Sequence, residues 1–147
     1  MNTRALHIGR VAAAATVAAM CALAVAVVVA SAQTEPRTVR DGVLSAAQVK
    51  RGQRVFKTIC VNCHEIEEFT GPGAYLEDHD GKPLWDTFDF IWSNMPDDDP
   101  SSLQPAEYAA VLAYLFSVYG LPTGDADLPI DRKALELITI TRPKPVG

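Results

Sequence analysis

The feature that most constrains this chain is the pentapeptide Cys60-Val61-Asn62-Cys63-His64. The pattern Cys-x-x-Cys-His is the signature for covalent attachment of haem c. Two intervening residues place the sulfur atoms about one helical turn apart, on the same side, where each can form a thioether bond with a vinyl group of the porphyrin. The adjacent histidine then offers its imidazole to the iron. The pentapeptide therefore predicts one haem c, attached through Cys60 and Cys63 and ligated by His64.

Two other chemistries also use paired cysteines. A thioredoxin-like dithiol lies beside a βαβ pattern, which this sequence lacks. A structural zinc site needs about four Cys or His ligands at recurring spacings. Once the N-terminal segment is set aside, only His79 remains to add to the pentapeptide. We therefore favour haem attachment and keep a haem-free dithiol protein as an alternative.

The N-terminal segment has the pattern of a secretory leader. Arg4 and Arg10 precede an unbroken run of small and apolar residues over 11–30, and residues 30–32 (Ala-Ser-Ala) supply a small-x-small cleavage pattern. We predict a signal peptide over residues 1–32 and a periplasmic location. The apolar run could also just cross a bilayer. The alternative is thus a retained anchor in the inner membrane facing the periplasm, and only then would the membrane be a partner.

Removal of this leader changes what the remaining chain contains. The leader holds Cys21, His7 and two of the three methionines, so every remaining sulfur atom, in Cys60, Cys63 and Met95, belongs to a candidate haem contact. The net charge changes from -5 to -7, because the leader holds two positive residues and no negative one. This acidity argues against nucleic acid as a partner. It suggests docking to redox partner proteins through complementary charge or apolar contact.

The rest of the sequence predicts an all-α fold with three main helices. The first follows a capping-box pattern at Ser45 and Gln48 and ends in the pentapeptide. The second covers residues 84–94, with apolar residues recurring along one stripe. The third begins at Pro105, since proline is well tolerated in the first helical turn.

These patterns also divide the chain. The predicted parts are a signal peptide over 1–32, a linker over 33–44, a haem domain over 45–120 and a C-terminal extension over 121–147 that packs on the domain. The linker prediction depends on Pro36, Gly42 and scattered charges without periodicity. In the extension, Asp131 is a candidate cap for a short helix, and residues 138–141 alternate like a strand.

Met95 is the predicted second iron ligand. It lies at the end of the apolar stripe of the second helix and precedes Pro96, which stops the helix and fixes the turn. Iron held by His on one side and Met on the other is an electron-transfer arrangement. The rival ligand is His79, which lies in a polar turn without an apolar stripe behind it. If Met95 does not bind iron, the open site indicates a peroxidase-like enzyme or a sensor instead.

An acidic turn, Asp97-Asp98-Asp99, follows the second helix. The simplest interpretation is a solvated loop. A second is a docking or steering patch near the haem edge. A calcium site has weaker support, because the flanking EF-hand spacing is absent.

From Ser45 to Gly120 the residues resemble the class I cytochromes c. The resemblance is carried by the pentapeptide at the end of a first helix, the Gly-x-x-x-aromatic pair Gly52 and Phe56, and the Met-Pro pair at residue 95. It implies three helices wrapped around one haem c, with Gly52 and Phe56 packed on Tyr114 of the last helix. It also implies that the Pro72 carbonyl accepts a hydrogen bond from the proximal imidazole.

The resemblance implies a function in carrying single electrons rather than in catalysis. The tail, with Gly120-Leu121-Pro122 and Asp127-Leu128-Pro129, resembles extensions of single-haem cytochromes that accompany periplasmic dehydrogenases. The expected donor is therefore a periplasmic dehydrogenase, of which this chain could be the electron-accepting subunit, and the expected acceptor is an oxidase or another cytochrome. The sequence departs from the family pattern in two places: Gln104 is a poor N-cap, and acidic residues (Glu65, Glu67 and Glu68) follow the proximal histidine.

Overall fold

Four α-helices and one pair of very short strands form the part of the chain that the structure, a computed structural model, describes, namely residues 35–70, 74 and 76–142. In chain order the elements are β1 (Arg37–Thr38), α1 (Ala46–Thr58), two 3-10 helices (Cys60–Asn62 and Ile66–Phe69), α2 (Leu84–Asn94), α3 (Pro105–Val118), α4 (Arg132–Glu136) and β2 (Ile138–Thr139). The predicted all-α class is confirmed. None of the helices in these residues is long and apolar enough to cross a membrane. The predicted leader, 1–32, lies outside the described residues.

The starts of α1 and α3 are fixed by side chains close in sequence. The hydroxyl of Ser45 accepts a hydrogen bond from the Gln48 N–H at 3.0 Å, as an N-cap does. At the start of α3, Gln104 precedes Pro105, and the backbone N–H of Gln104 donates to the Glu107 carboxylate at 2.9 Å. Because Glu107 supplies this acceptor, a residue that is a poor cap by type is sufficient at position 104.

The capping-box prediction was right for Ser45 and wrong for the side chain of Gln48, which was expected to reach back to Ser45. The Gln48 side chain is 3% exposed and does not complete the capping box. Instead, its amide nitrogen donates to the Leu128 carbonyl at 3.1 Å, and its amide oxygen accepts from the Leu128 N–H at 2.7 Å. Gln48 therefore holds the backbone of the C-terminal segment against α1 by two hydrogen bonds.

The first and third long helices cross at backbone contact. A Cβ atom on Gly52 would lie 1.7 Å from the Ala110 carbonyl oxygen, far inside any allowed contact. One turn later, the rings of Phe56 and Tyr114 pack with their centroids 5.5 Å apart. The packing that the family resemblance implied for these side chains is confirmed. Only glycine lets α1 approach α3 this closely.

The prediction of a linker over residues 33–44 was wrong for its described part. Val39, Val43 and Leu44 are buried in the main core. β1 pairs in parallel with β2, and the Val39 N–H donates to the Thr139 carbonyl at 3.0 Å. The error has a physical cause. This short stretch has no periodicity of its own, since its strand partner lies about a hundred residues further along the chain.

Residues 121–142 share the same core. The buried side chains of this segment are Leu121, Leu128, Leu135, Ile138 and Ile140. Asp131 caps α4 as expected, because its carboxylate accepts the Ala134 N–H at 2.9 Å. Strand β2 covers only Ile138–Thr139, which is shorter than the alternation over 138–141 suggested. Residue 120 is therefore not a boundary of the hydrophobic core.

The Gly52→Ala variant is expected to be less stable. The new methyl group must push apart the backbones of α1 and α3, and overpacking of this kind costs about 1–3 kcal/mol or more. Thermal unfolding of the purified protein, followed by circular dichroism, measures the change. The matched control is Lys50→Ala on the exposed side of the same helix, with an expected change within about 0.5 kcal/mol. Equal melting temperatures for the two variants would contradict the close crossing.

Candidate haem site

The described residues form a cavity of about 470 Å³ between α1, α2 and α3. This volume lies in the range of small-molecule and cofactor sites. Four of the predicted site residues, Cys60, Cys63, His64 and Met95, line it. They come from the turn after α1 and from the end of α2, so the fold brings to one cavity residues that are separated by about thirty positions. The fifth, Pro72, lies outside the described residues.

The turn after α1 presents the pentapeptide to this cavity. Cys60–Asn62 forms a 3-10 helix, and both the Cys63 and His64 N–H groups donate to the Cys60 carbonyl, at 3.1 and 2.9 Å. This tight turn keeps both thiols and the imidazole together along the cavity wall. Burial raises the pKa of the Cys60 thiol, while Cys63 is exposed. One wall of the cavity therefore carries two sulfur atoms and one imidazole.

The imidazole of His64 is held by its neighbours in the chain. Its Nδ1 atom lies 3.0 Å from a carboxylate oxygen of Glu68. Its ring packs edge-on against Phe69, with centroids 5.7 Å apart. Since Nδ1 is engaged by Glu68, Nε2 is the nitrogen that remains for a metal ion. Sequence reasoning did not assign Glu68 this role. The signal available was the spacing of Glu65 and Glu68, which matches a capping box on the short 3-10 helix.

Met95 lies where α2 ends. Its backbone is extended (φ -122°, ψ 148°), as expected for a residue before proline. Its carbonyl accepts a hydrogen bond of 2.8 Å from the hydroxyl of Tyr108 on α3. The same hydroxyl accepts one of 3.3 Å from the Leu103 N–H. Tyr108 is 2% exposed. Its two hydrogen bonds tie both ends of the 95–103 loop to α3. Sequence reasoning did not assign Tyr108 this role, because no local pattern indicates a distant acceptor.

The remaining walls suit a large apolar group. Most other lining side chains are apolar, among them Phe56, Ile91, Val111, Leu112 and Leu115. The hydroxyl of Thr87, also on the wall, is buried without a hydrogen-bond partner among the described residues. A buried hydroxyl normally has a partner, and a polar edge of a bound group would supply one. The cavity therefore fits an apolar cofactor with some polar edge groups.

The other candidates lie differently. His79, the rival ligand, is in the turn over 76–80 and is not part of the cavity lining that the described residues form. Asp97 and Asp98 do line the cavity, beside Met95 and Pro96. Both carboxylates are exposed. The acidic turn thus lies at the mouth of the cavity.

The described residues thus form a helical domain in which a Cys-x-x-Cys-His turn and a half-buried methionine line one apolar cavity. Residues 47–115 match the family model described as cytochrome C oxidase, cbb3-type, subunit III. No curated protein and no solved structure matches the chain. The family match confirms the resemblance found in the sequence, and residues 47–115 are a class I c-type cytochrome domain. Such a domain binds haem c and transfers electrons, and it is not expected to be an enzyme.

The Tyr108→Phe variant is expected to loosen the 95–103 loop. It removes the hydroxyl that bonds both the Met95 carbonyl and the Leu103 N–H, at a cost of about 1–3 kcal/mol. Hydrogen–deuterium exchange with mass spectrometry should show faster exchange in peptides that cover this loop. Tyr114→Phe, on the same helix, is the control, because the described residues give its hydroxyl no hydrogen bond. Unchanged exchange in Tyr108→Phe would show that the hydroxyl does not hold the loop.

Proposed function

We propose that this protein carries single electrons through one haem c that is bound covalently through Cys60 and Cys63 and ligated by His64 and Met95. The observation that supports this most strongly is the shared cavity, which all four side chains line. The family match over 47–115 supports the same cofactor independently of that geometry.

Each of these side chains has a definite part in the proposed mechanism. When bound, the haem supplies a one-electron couple between ferric and ferrous iron. Cys60 and Cys63 would hold the porphyrin to the turn after α1. His64 and Met95 would ligate the iron, and this pair would leave no open site for a substrate. The apolar walls exclude water and favour the less charged ferrous state, which raises the reduction potential.

The proposed location is the periplasm. It is supported by the charged start, apolar run and Ala-Ser-Ala pattern within residues 1–32. If that leader stays uncut, the protein is anchored in the inner membrane and faces the periplasm. The proposed donor is a periplasmic dehydrogenase, and the proposed acceptor is an oxidase or another cytochrome. An oxidase has additional support, because the matched family model is described as an oxidase subunit.

The Met95→Ala variant tests whether Met95 ligates the iron. We expect the wild-type protein to show low-spin bands and the far-red band of sulfur bound to ferric iron. Loss of the thioether should abolish the far-red band and lower the midpoint potential by on the order of 100 mV, since methionine ligation raises it. Visible spectra and a redox titration measure both effects. His79→Ala is the control and should keep the band. A far-red band that survives in Met95→Ala would contradict the assignment, and a high-spin wild type would favour an open-site enzyme or sensor.

The Asp98→Asn variant tests whether the acidic turn acts on electron exchange. Asp98 lies at the cavity mouth, so its charge should attract a cationic redox reagent and repel an anionic one. At low salt we expect oxidation by a cobalt(III) hexaammine cation to slow by about twofold and oxidation by ferricyanide to accelerate similarly.

Stopped-flow kinetics at low and high salt measure the two oxidation rates. Both changes in rate should become smaller as salt screens the charge. Asp125→Asn removes the same charge from the C-terminal segment, away from the cavity lining. Equal rates for the two variants would indicate a solvated loop with no influence on the haem edge.

A further inference from the structure

The hydrogen bond between His64 and Glu68 gives the site a charged acceptor behind the proximal imidazole. The His64 Nδ1 atom and a Glu68 oxygen (Oε2) are 3.0 Å apart. An imidazole has two nitrogens, and the bond made by one of them determines which nitrogen faces the metal and how basic the ring is. A carboxylate is a stronger acceptor than a neutral carbonyl, because the bond is assisted by charge.

Glu68 is not a freely moving surface side chain. Its other oxygen (Oε1) accepts the Glu65 N–H at 3.0 Å, which caps the 3-10 helix Ile66–Phe69. As an exposed glutamate it carries a negative charge at neutral pH.

Phe69, the residue after Glu68, contacts both the His64 ring and the core. The Phe69 ring contacts the edge of the His64 ring and also packs against Phe56 of α1, with centroids 5.9 Å apart. The 3-10 helix is thus attached to the core by one side chain while the preceding side chain reaches the imidazole. Its position is set by packing as well as by the hydrogen bond.

We propose that Glu68 is the positioning residue for the proximal ligand: it accepts the Nδ1–H of His64, directs Nε2 to the iron and stabilises the ferric state relative to the ferrous state. This rests on the proposed function, in which His64 ligates haem iron. The Nδ1 atom carries a single hydrogen, so Glu68 takes the place that the family resemblance gave to the Pro72 carbonyl. The negative charge makes the imidazole a stronger electron donor, and the potential is lower than a neutral acceptor would give.

The size of the effect is limited by solvent. The Glu68 side chain is 51% exposed, so water screens part of its charge. For Glu68→Gln, which keeps an acceptor but loses the charge, we expect the oxidation equilibrium to shift about fivefold towards the reduced form, or roughly 40 mV for one electron.

Glu67→Gln is the matched control. Glu67 is exposed on the same 3-10 helix, so its replacement removes an equal charge at nearly the same place without touching the imidazole bond. We expect its equilibrium to shift by less than about twofold. Redox titration of the purified holoprotein measures the three midpoint potentials.

A second readout reports the hydrogen bond itself. In reduced protein labelled with ¹⁵N-histidine, the Nδ1–H proton of His64 should resonate far downfield and exchange slowly with water. Glu68→Gln and Glu68→Ala should move this resonance upfield and speed its exchange, whereas Glu67→Gln should leave it unchanged. A purely structural role for Glu68 would lower stability without moving this resonance.

Two results would overturn the proposal in distinguishable ways. If Glu68→Gln and Glu67→Gln have the same potential and the same Nδ1–H resonance, Glu68 is not the partner, while the wild-type low-spin spectrum still supports the electron carrier. If the wild-type spectrum has no histidine-ligated haem, the proposed function and this inference fall together. A larger shift in Glu68→Gln, with the resonance moved, supports the inference.

Discussion

The backbone contact between α1 and α3 at Gly52 and Ala110 is the constraint on which the site depends. Because no side chain separates the helices there, α1 lies directly against α3, and the 3-10 helix that follows α1 places Cys60 in the cavity wall. Directly after the crossing, α3 contributes Val111 and Leu115 to the apolar wall. The same crossing thus sets the distance between the Cys-x-x-Cys-His turn and that wall.

The two sides of the cavity are held by different kinds of interaction. At the wall after α1, His64, Glu68 and Phe69 lie within six residues, so local hydrogen bonds and one ring contact hold the imidazole. At the end of α2, the Met95 backbone is held by the hydroxyl of Tyr108, which belongs to another helix. The geometry at His64 is therefore mostly local, whereas the geometry at Met95 requires that α2 and α3 are already packed.

Both ends of the described chain complete this core. Gln48 binds the backbone of Leu128 from the first turns of α1, and Arg51, one turn later, forms an ion pair with Asp127. β1 and β2 join the two ends directly. The haem domain is consequently not a free-standing unit of residues 45–120, since its core includes side chains from before and after that range. Buried hydrogen bonds such as those of Gln48 are costly to break, because the separated donor and acceptor are left without water to bond to.

The sequence alone determined what depends on neighbouring residues: the Cys-x-x-Cys-His turn after α1, the Ser45 cap, the end of α2 before Pro96 and the apolar faces of the helices. Each of these follows from chemistry within about one helical turn. Only the tertiary structure revealed the Tyr108 bond to Met95, the Gln48 bonds to Leu128 and the strand pairing beside which Val39, Val43 and Leu44 enter the core. These join positions from thirteen to about a hundred residues apart, and such partners leave no local pattern. The hydrogen bond between His64 and Glu68 lies between the two cases, since its spacing was visible in the sequence but the position of the 3-10 helix also depends on the packing of Phe69 against Phe56.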